Sequence, residues 1–364
     1  MRLLLCGGGT AGHINPAIAI ADELMSRSGD SKVLFIGRHG GKENELITKA
    51  GYELKTIKIE GLKRSLTTDN IRRIICALKA RSDAEEIIKE FSPDIVIGTG
   101  GYVCWPVITA AKRLNIKTAI HESNITPGAT TKLVAGKCDV IFLNQEKTKE
   151  YLGGKKKTIT VGNPINKDFQ KITRQQARQK LGLKKNELFI LSFGGSIGAQ
   201  KINETILEIM NSYSSKEDDV KHIHATGKRY YREEERKYYE KTYSGCQILP
   251  YISNMPMMMK AADIVICRCG AMTLSEVAAV GACAILIPSP NVTNNHQYKN
   301  AKHLTELDAA TLIEEKNLSA DCLIEQIISL KNNEIQRKNK AKNIMATFKP
   351  DAAKRIVDEL FSLK

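Results

Sequence analysis

The chain has 364 residues, 42% of them hydrophobic, and a formal net charge of +15. Its length is about twice that of a typical single domain, so two domains are expected, each able to bury a core. The cationic excess excludes an acidic, solvating chain and asks for a partner of opposite sign, namely nucleic acid, an anionic membrane or phosphorylated substrates, unless it only reflects a basic proteome.

Read in chain order, Met1–Cys6 is a short apolar run that meets glycines at once, so it reads as a buried strand and not as a secretory signal. Further strands are predicted at Lys32–Ile36, Leu54–Lys58, Asp94–Ile97, Lys117–His121, Val140–Leu143 and Thr158–Val161. Helical patterns fill the gaps, among them Pro16–Ser26, Ile71–Phe91 and Val103–Leu114. This alternation predicts a parallel sheet with helices on both faces. The segment Val161–Asp168, with Gly162 and Pro164, is the predicted linker.

The pattern then restarts. Strand Leu188–Phe193 runs into glycines and is followed by a helix over Lys201–Met210. Strands follow at His222–Ala225, Cys246–Leu249, Ile264–Cys267 and Cys283–Pro288, and an amphipathic helix, Asp351–Leu363, closes the chain and would cap one of the two domains. The two starts resemble each other: LLLCGGG at 3–9 parallels ILSFGGS at 190–196. The expected fold class is therefore α/β, with two Rossmann-like, doubly wound domains facing each other across a cleft and ligands at the carboxyl ends of the strands.

The nine cysteines form no paired framework. Cys6, Cys267 and Cys283 sit in apolar runs and read as core residues of a reducing cytosol, against structural zinc. No apolar stretch reaches the ~18 residues of a membrane span. The nearest, Ala271–Pro288, contains Glu276 and Gly281, so any membrane contact would be peripheral.

Six motifs stand out, five at predicted strand ends and the sixth opening a helix. Gly7-Gly8-Gly9-Thr10-Ala11-Gly12-His13 lets the backbone approach an anion before a helix N-terminus. Its glycines also satisfy GxGxxG, the dinucleotide pattern, but the second strand ends Phe35-Ile36-Gly37-Arg38 with no acid for a ribose. Arg38 would suit a 2′-phosphate, so an NADP enzyme stays open. His13 is either a helix-end histidine bonded to backbone or a base facing the ligand. Gly98-Thr99-Gly100-Gly101-Tyr102 is a second glycine turn, read either as close approach to a ligand or as a tight turn. In the third motif, at 121–128, His121 and Glu122 point to opposite sides of a strand and make a poor metal pair. Asn124 of the same motif suits a sugar hydroxyl, since its amide both donates and accepts.

The fourth, Gly194–Ala199, repeats the phosphate cradle with Ser196. In the fifth, 269–276, a glycine-started helix offers the amides of Ala271 and Met272 to a phosphate, and Glu276 to a ribose diol unless it is a surface glutamate. The sixth, Asn294–Ala301, is an amide cluster that reads sugar hydroxyls or caps a helix.

With these six in this order, essentially the whole chain resembles the MurG family, UDP-N-acetylglucosamine:N-acetylmuramyl-(pentapeptide) pyrophosphoryl-undecaprenol N-acetylglucosaminyltransferases. The motifs that carry the resemblance are GGTAGH at 8–13, GTGGY at 98–102, HE-N-PG at 121–128, VGNP at 161–164, GGS-GA at 194–199, CR-GA-T-SE at 267–276 and NHQ-NA at 295–301. The resemblance implies a GT-B fold. Residues 1–162 would form an acceptor- and membrane-side domain, joined by the terminal helix 350–364, and residues 163–349 would hold the donor. It implies Ser196 and the amides near Ala271 on the diphosphate, within a donor segment of Ala271, Met272, Thr273, Leu274, Ser275 and Glu276. Glu276 would take the ribose hydroxyls, Ile252 would meet uracil by its backbone, and His296 with Gln297 would read N-acetylglucosamine. Thr10, Ala11, Gly12 and Asn124 would line the sugar and acceptor side, with His13 as the catalytic residue near the reacting hydroxyl.

Three positions depart from the family pattern. Asn166 replaces a usual basic residue, for which Lys167, Lys201 or Arg268 would substitute; Ile197 replaces a glutamine; and Trp105 replaces a small residue, where it would narrow the acceptor entrance or touch lipid.

The implied reaction is displacement at the anomeric carbon with inversion. It needs a base, no cofactor and no metal: no DxD pair follows a strand, so helix N-termini and cations would stabilise UDP. The implied partners are UDP-N-acetylglucosamine (UDP-GlcNAc), the lipid-linked acceptor, an anionic membrane and cell-wall or division proteins, with the protein peripheral on the cytoplasmic face of the cell membrane. The alternatives are another GT-B glycolipid transferase, a UDP-GlcNAc epimerase or the NADP oxidoreductase. A nucleic-acid binder would need basic residues interleaved with aromatics, and the one such stretch, Tyr230–Tyr243, is rich in glutamate.

The Ile71–Phe91 helix carries two apolar stripes. Ala77, Ala80, Ala84, Ile87, Ile88 and Phe91 suit packing on a sheet. Ile71, Ile74, Ile75 and Leu78 fall on nearly the opposite face, flanked by Arg72, Lys79 and Arg81, with Lys63 and Arg64 in the preceding loop. A cation-rimmed apolar stripe fits an anionic membrane, or a cover by another segment or protomer.

Overall fold

The structure is a computed structural model that describes residues 1–61, 68–154, 157–212, 219–242 and 245–364. Lys63 and Arg64 lie outside the described residues. The chain divides into two compact units, Met1–Asn166 with Lys349–Lys364, and Lys167–Phe348.

The first unit holds strands β1 (Arg2–Cys6), β2 (Lys32–Arg38), β3 (Glu53–Ile57), β4 (Ile95–Gly98), β5 (Lys117–Glu122), β6 (Val140–Leu143) and β7 (Thr158–Thr160). All pair in parallel, in the order β3-β2-β1-β4-β5-β6-β7. Leu3, Leu4, Leu5 and Cys6 are all fully buried, as a strand covered on both faces requires. The period of two then sorts them. Leu4 and Cys6 join Ala80, Ala84, Ile88, Val107 and Ile108 in one core. Leu3 and Leu5 join Ile14, Ile20 and Leu24 in the other, along with Ile356, Val357 and Leu360 of the terminal Ala352–Leu363 helix.

The second unit holds β8 (Leu188–Phe193), β9 (Val220–Ala225), β10 (Cys246–Leu249), β11 (Ile264–Cys267), β12 (Cys283–Leu286) and β13 (Thr311–Leu312), ordered β10-β9-β8-β11-β12-β13. Each sheet reverses its winding once, between β1 and β4 and between β8 and β11. Ligands bind doubly wound sheets at such points, beyond the strand carboxyl ends.

Two elements differ from the sequence reading. The first helix begins at Ala11 and carries Pro16 inside it, although proline most often opens a helix. His13 therefore stands in the first helical turn and not in the loop. β13 has only two residues, too few for a periodic signal.

The Asp69–Phe91 helix buries Ala80, Ala84 and Ile88 and leaves Ile71, Ile74, Ile75 and Leu78 exposed by 62, 50, 63 and 45%. Arg72, expected as a rim cation, is ion-paired with Glu60 at 3.1 Å and Asp69 at 3.2 Å, because its side chain folds along the helix start. No described helix is long and apolar enough to cross a membrane.

Candidate functional site

In the first unit, the turns after β1 and β4 are knitted together at the winding reversal. Gly8 N–H donates to the Gly100 carbonyl at 3.2 Å, Thr99 N–H to the Cys6 carbonyl at 2.9 Å, and the Thr99 hydroxyl to the His13 carbonyl at 2.6 Å. Close approach demands glycine here: a Cβ on Gly101 would lie 2.3 Å from the Gly8 oxygen. The glycine loop thus turns against its neighbour as well as toward solvent.

Half-buried His13 donates from Nδ1 to the Gly8 carbonyl at 2.9 Å. Its ring lies against Gly100, where a Cβ would come within 2.6 Å of Cδ2. His13 thus bonds backbone through one ring nitrogen, as one of its two sequence readings expects.

The sequence reading found no acid after β2. Glu43, five residues beyond that strand, reaches back and accepts the Gly9 N–H at 3.1 Å while fully buried. Arg38, weighed as a 2′-phosphate contact, donates to the Tyr102 hydroxyl at 3.2 Å.

After β5, buried Glu122 organises the loop. It accepts from Asn124 N–H at 2.9 Å, Asn124 Nδ2 at 3.1 Å, Gly128 N–H at 3.0 Å and the Thr131 hydroxyl at 2.6 Å. The Asn124 amide nitrogen, expected on a sugar hydroxyl, is thus engaged by Glu122. His121 points the other way and donates from Nε2 to the Gly162 carbonyl at 2.9 Å; burial lowers its pKa and favours the neutral ring. Trp105, expected near acceptor or lipid, is partly buried against the core.

In the second unit, the Gly194–Ala199 loop leads into the Gln200–Ser212 helix, with Ser196 and Ile197 exposed. Gly198 has φ of +85°, and a Cβ there would meet the Thr226 oxygen at 2.0 Å. Beneath the loop runs a polar network that motif reading missed. The Ser192 hydroxyl lies 2.8 Å from both His222 Nε2 and His224 Nδ1, His224 Nε2 lies 3.2 Å from Asn203 Oδ1, and Asn203 Nδ2 donates to the Thr226 carbonyl at 2.9 Å. Burial pushes His222 down to about 3, with His224 adding to the effect, and pushes His224 to about 4.

After β11, Gly270 opens the Ala271–Val280 helix without a side-chain cap. Ala271, Met272 and Leu274 bury their side chains, so a ligand would meet their backbone only; Thr273 and Ser275 are half-buried. Glu276, one turn further, is half-buried as a residue, yet its carboxyl is set deep enough that burial pushes it up to about 8. Among the described residues no donor bonds that carboxyl.

Two expectations change here. Arg268, expected as one substitute for the basic residue missing at Asn166, is engaged within its own unit: it pairs with Glu315 and donates to the carbonyls of Ile287 at 3.2 Å and Pro288 at 3.1 Å. Lys201, another of the expected substitutes, is exposed in the first turn of the helix after the glycine loop. Gln297 Oε1 accepts from Cys269 N–H at 3.3 Å and Ser289 N–H at 2.9 Å, stapling two strand-end loops, so only its Nε2 is left to donate outward. His296 Nδ1 donates to the Thr293 carbonyl at 2.8 Å, and Ile252 buries its side chain.

Residues 3–143 match the glycosyltransferase family 28 N-terminal domain and residues 189–356 its C-terminal domain. A UDP-N-acetylglucosamine--N-acetylmuramyl-(pentapeptide) pyrophosphoryl-undecaprenol N-acetylglucosamine transferase of Acetivibrio thermocellus is 40% identical over 358 residues, 98% of this chain and 97% of that one. The crystal structure of Acinetobacter baumannii MurG superposes with a TM-score of 0.78 at 26% identity, over 99% of both chains. A UDP-GlcNAc 2-epimerase from Neisseria meningitidis, over 100% of both chains, reaches a TM-score of 0.69 at 17% identity and so shares the fold alone. The two sheets, the glycine turns at their winding reversals and this full-length identity make the chain a GT-B glycosyltransferase of family 28, and within it a member of the MurG family.

Proposed function

We propose that the chain transfers N-acetylglucosamine from UDP-GlcNAc to undecaprenyl-diphospho-muramoylpentapeptide, with inversion, in peptidoglycan synthesis. The observation that carries this reading is Glu276. A half-buried glutamate in the Ala271–Val280 helix, whose carboxyl has no donor among the described residues and whose pKa burial raises to about 8, is suited to two vicinal hydroxyls such as those of a ribose.

The donor is held by residues 163–349. Ser196 and the amino end of the Ala271–Val280 helix receive the diphosphate, where the helix dipole favours the charge that UDP carries away. Ile252 takes the uracil through its backbone, and Gln297 Nε2 with His296 reads the sugar. The first domain, residues 1–162 with 350–364, takes the acceptor beside Thr10, Ala11, Gly12 and Asn124. There Nε2 of His13 accepts the muramoyl hydroxyl proton as that oxygen bonds the anomeric carbon. The bond from that carbon to the UDP oxygen breaks, and its electron pair leaves with UDP.

The exposed stripe of Ile71, Ile74, Ile75 and Leu78, with Lys79 beside it, docks the protein on the anionic cytoplasmic leaflet, where the lipid-linked acceptor lies, and where cell-wall or division proteins would meet it. Radiolabelled UDP-GlcNAc incubated with a lipid-linked muramoyl-pentapeptide tests the reaction. Label must enter the lipid as a β-linked disaccharide, and label released only as free sugar or as an epimerised nucleotide would reject the transfer.

A further inference from the structure

We propose that Glu43 is a positioning residue that acts on His13 through the Gly8–Gly9 peptide; this rests on the reading of His13 as the base. Gly9 N–H donates to Glu43 Oε1 at 3.1 Å, and the carbonyl of that same peptide, Gly8 C=O, accepts from His13 Nδ1 at 2.9 Å. N–H and C=O of a trans peptide point in opposite directions, so the carboxyl and the imidazole sit on either side of one amide. Drawing the N–H toward a carboxylate moves amide electron density onto the carbonyl oxygen. That oxygen becomes a better acceptor for Nδ1–H, since hydrogen bonds in a chain polarise one another. The ring is then held with Nε2 bare, and the positive charge it gains on taking a proton is stabilised. A carboxylate does this directly in a Ser–His–Asp arrangement. Here a peptide is interposed.

The surroundings are built for this group. Glu43 is fully buried at the start of the Glu43–Lys49 helix, and the space around it is cleared by glycines. A Cβ on Gly8 would lie 2.0 Å from Oε1, one on Gly41 2.0 Å from Oε2, and one on Gly37 2.9 Å from the Glu43 Cβ. Oε2 is buried with no partner. A clamp on Gly9 N–H alone needs only one neutral oxygen, which a glutamine would also supply, though with its amide N–H groups where Oε2 is buried without a partner. What glutamine lacks is charge.

Glu43→Gln tests this in the full chain, because it keeps the shape and one acceptor oxygen and removes the negative charge, with an amide nitrogen in place of Oε2. We expect kcat to fall on the order of 10- to 100-fold, less than for a directly bonded carboxylate, with donor KM within about twofold. In a His13→Ala background the same substitution should change nothing, since residues acting as a unit are non-additive. With 15N-labelled histidine, the His13 signals (identified by their loss in His13→Ala) should show the proton on Nδ1 in the native protein and a shift toward the other tautomer in Glu43→Gln. Wild-type kcat in Glu43→Gln, an equal fall in both backgrounds, or a native ring protonated on Nε2 would each overturn the proposal. If Glu43→Gln folds poorly, Glu43→Asp serves: it keeps the charge one methylene short, and must retain the Nδ1 tautomer better than Glu43→Ala. Should His13→Ala leave kcat unchanged, the base reading fails while the ring signals still report on Glu43; a fall with His13→Ala and none with Glu43→Gln rejects the coupling alone.

Discussion

His13 Nδ1 lies 2.9 Å from the Gly8 carbonyl oxygen, and that bond fixes which ring nitrogen can act. A carbonyl only accepts, so Nδ1 carries the proton and the neutral ring leaves its lone pair on Nε2. In the proposed reaction that lone pair takes the acceptor's proton. His13→Ala should therefore lower kcat by ~10²–10⁴-fold with little change in donor KM. A kcat within twofold of the native value would make His13 a structural or phosphate contact.

Gly100 sets the ring's position by having no side chain. Its φ is +114°, and a Cβ there would lie 2.6 Å from His13 Cδ2. Gly100→Ala should strain the backbone by about 1–3 kcal/mol. It should also displace the imidazole, where a shift of about 1 Å costs on the order of 10²-fold in rate. Thermal unfolding and steady-state kinetics together check this; a variant as active as the native protein would show that the ring does not depend on that face.

With Glu276 on the ribose as proposed, donor binding is coupled to protons. Burial lifts its carboxyl from an ordinary 4.5 to about 8, so at pH 7 the empty site is mostly protonated. Ribose hydroxyls donate best to the carboxylate, so UDP binding at pH 7 should release a proton, and affinity should rise from pH 6 to about 8 and then level off. Titration calorimetry in two buffers of different ionisation enthalpy measures the release, which Glu276→Gln should abolish. Glu276→Ala should raise donor KM about tenfold or more, for a loss of ~1.5–3 kcal/mol. Without donor, the raised value has the opposite consequence: this group's stabilisation is complete below about 4.5 and is lost as pH rises through about 8. An unchanged donor KM in the alanine variant would remove Glu276 from the site.

The His222–Ser192–His224 network makes the second unit sensitive to acid. Both rings are buried, with values near 3 and 4 against an ordinary 6.5. Their lowered values mean that stability is fully present above about 6.5 and falls as pH drops toward the folded values, by about 2 kcal/mol per histidine at pH 5. Melting temperature followed from pH 7 to 5 should decline, and it should decline less steeply in His224→Gln. Equal slopes in the two proteins would mean that these rings titrate normally.

Membrane docking has its own test. Ile75 and Leu78 are 63 and 45% exposed on a helix whose other face is core. Changing both to Ser should weaken binding to phosphatidylglycerol vesicles and activity on a long-chain acceptor, and should spare activity on a short-chain soluble one. Equal loss on both acceptors would point instead to a folding or oligomer contact.

Much of the fold was legible because it rests on local pattern. The continuous apolar run Leu3–Cys6 demanded a strand covered on both faces, and the glycines after it demanded a turn. The two stripes of the Asp69–Phe91 helix followed from its 3.6-residue period, including the face left bare. β13 was not legible, since two residues carry no period. Nor was the helical start at Ala11, because Pro16 imitates a helix opening.

What the sequence by itself determined was residue type and order: two strand–glycine–helix starts, a histidine closing one glycine loop, and a glutamate one turn into the helix after β11. Only the tertiary structure decided what those groups face. Glu43 is 34 residues from Gly9 and in no motif with it, yet parallel pairing of β1 with β2 brings it beneath the loop. Glu276 reads as an ordinary surface glutamate until burial sets its proton affinity. Arg268 reads as a spare cation until Glu315, 47 residues on, claims it. Charge, tautomer and proton affinity depend on neighbours distant in the chain, and no local pattern encodes those neighbours.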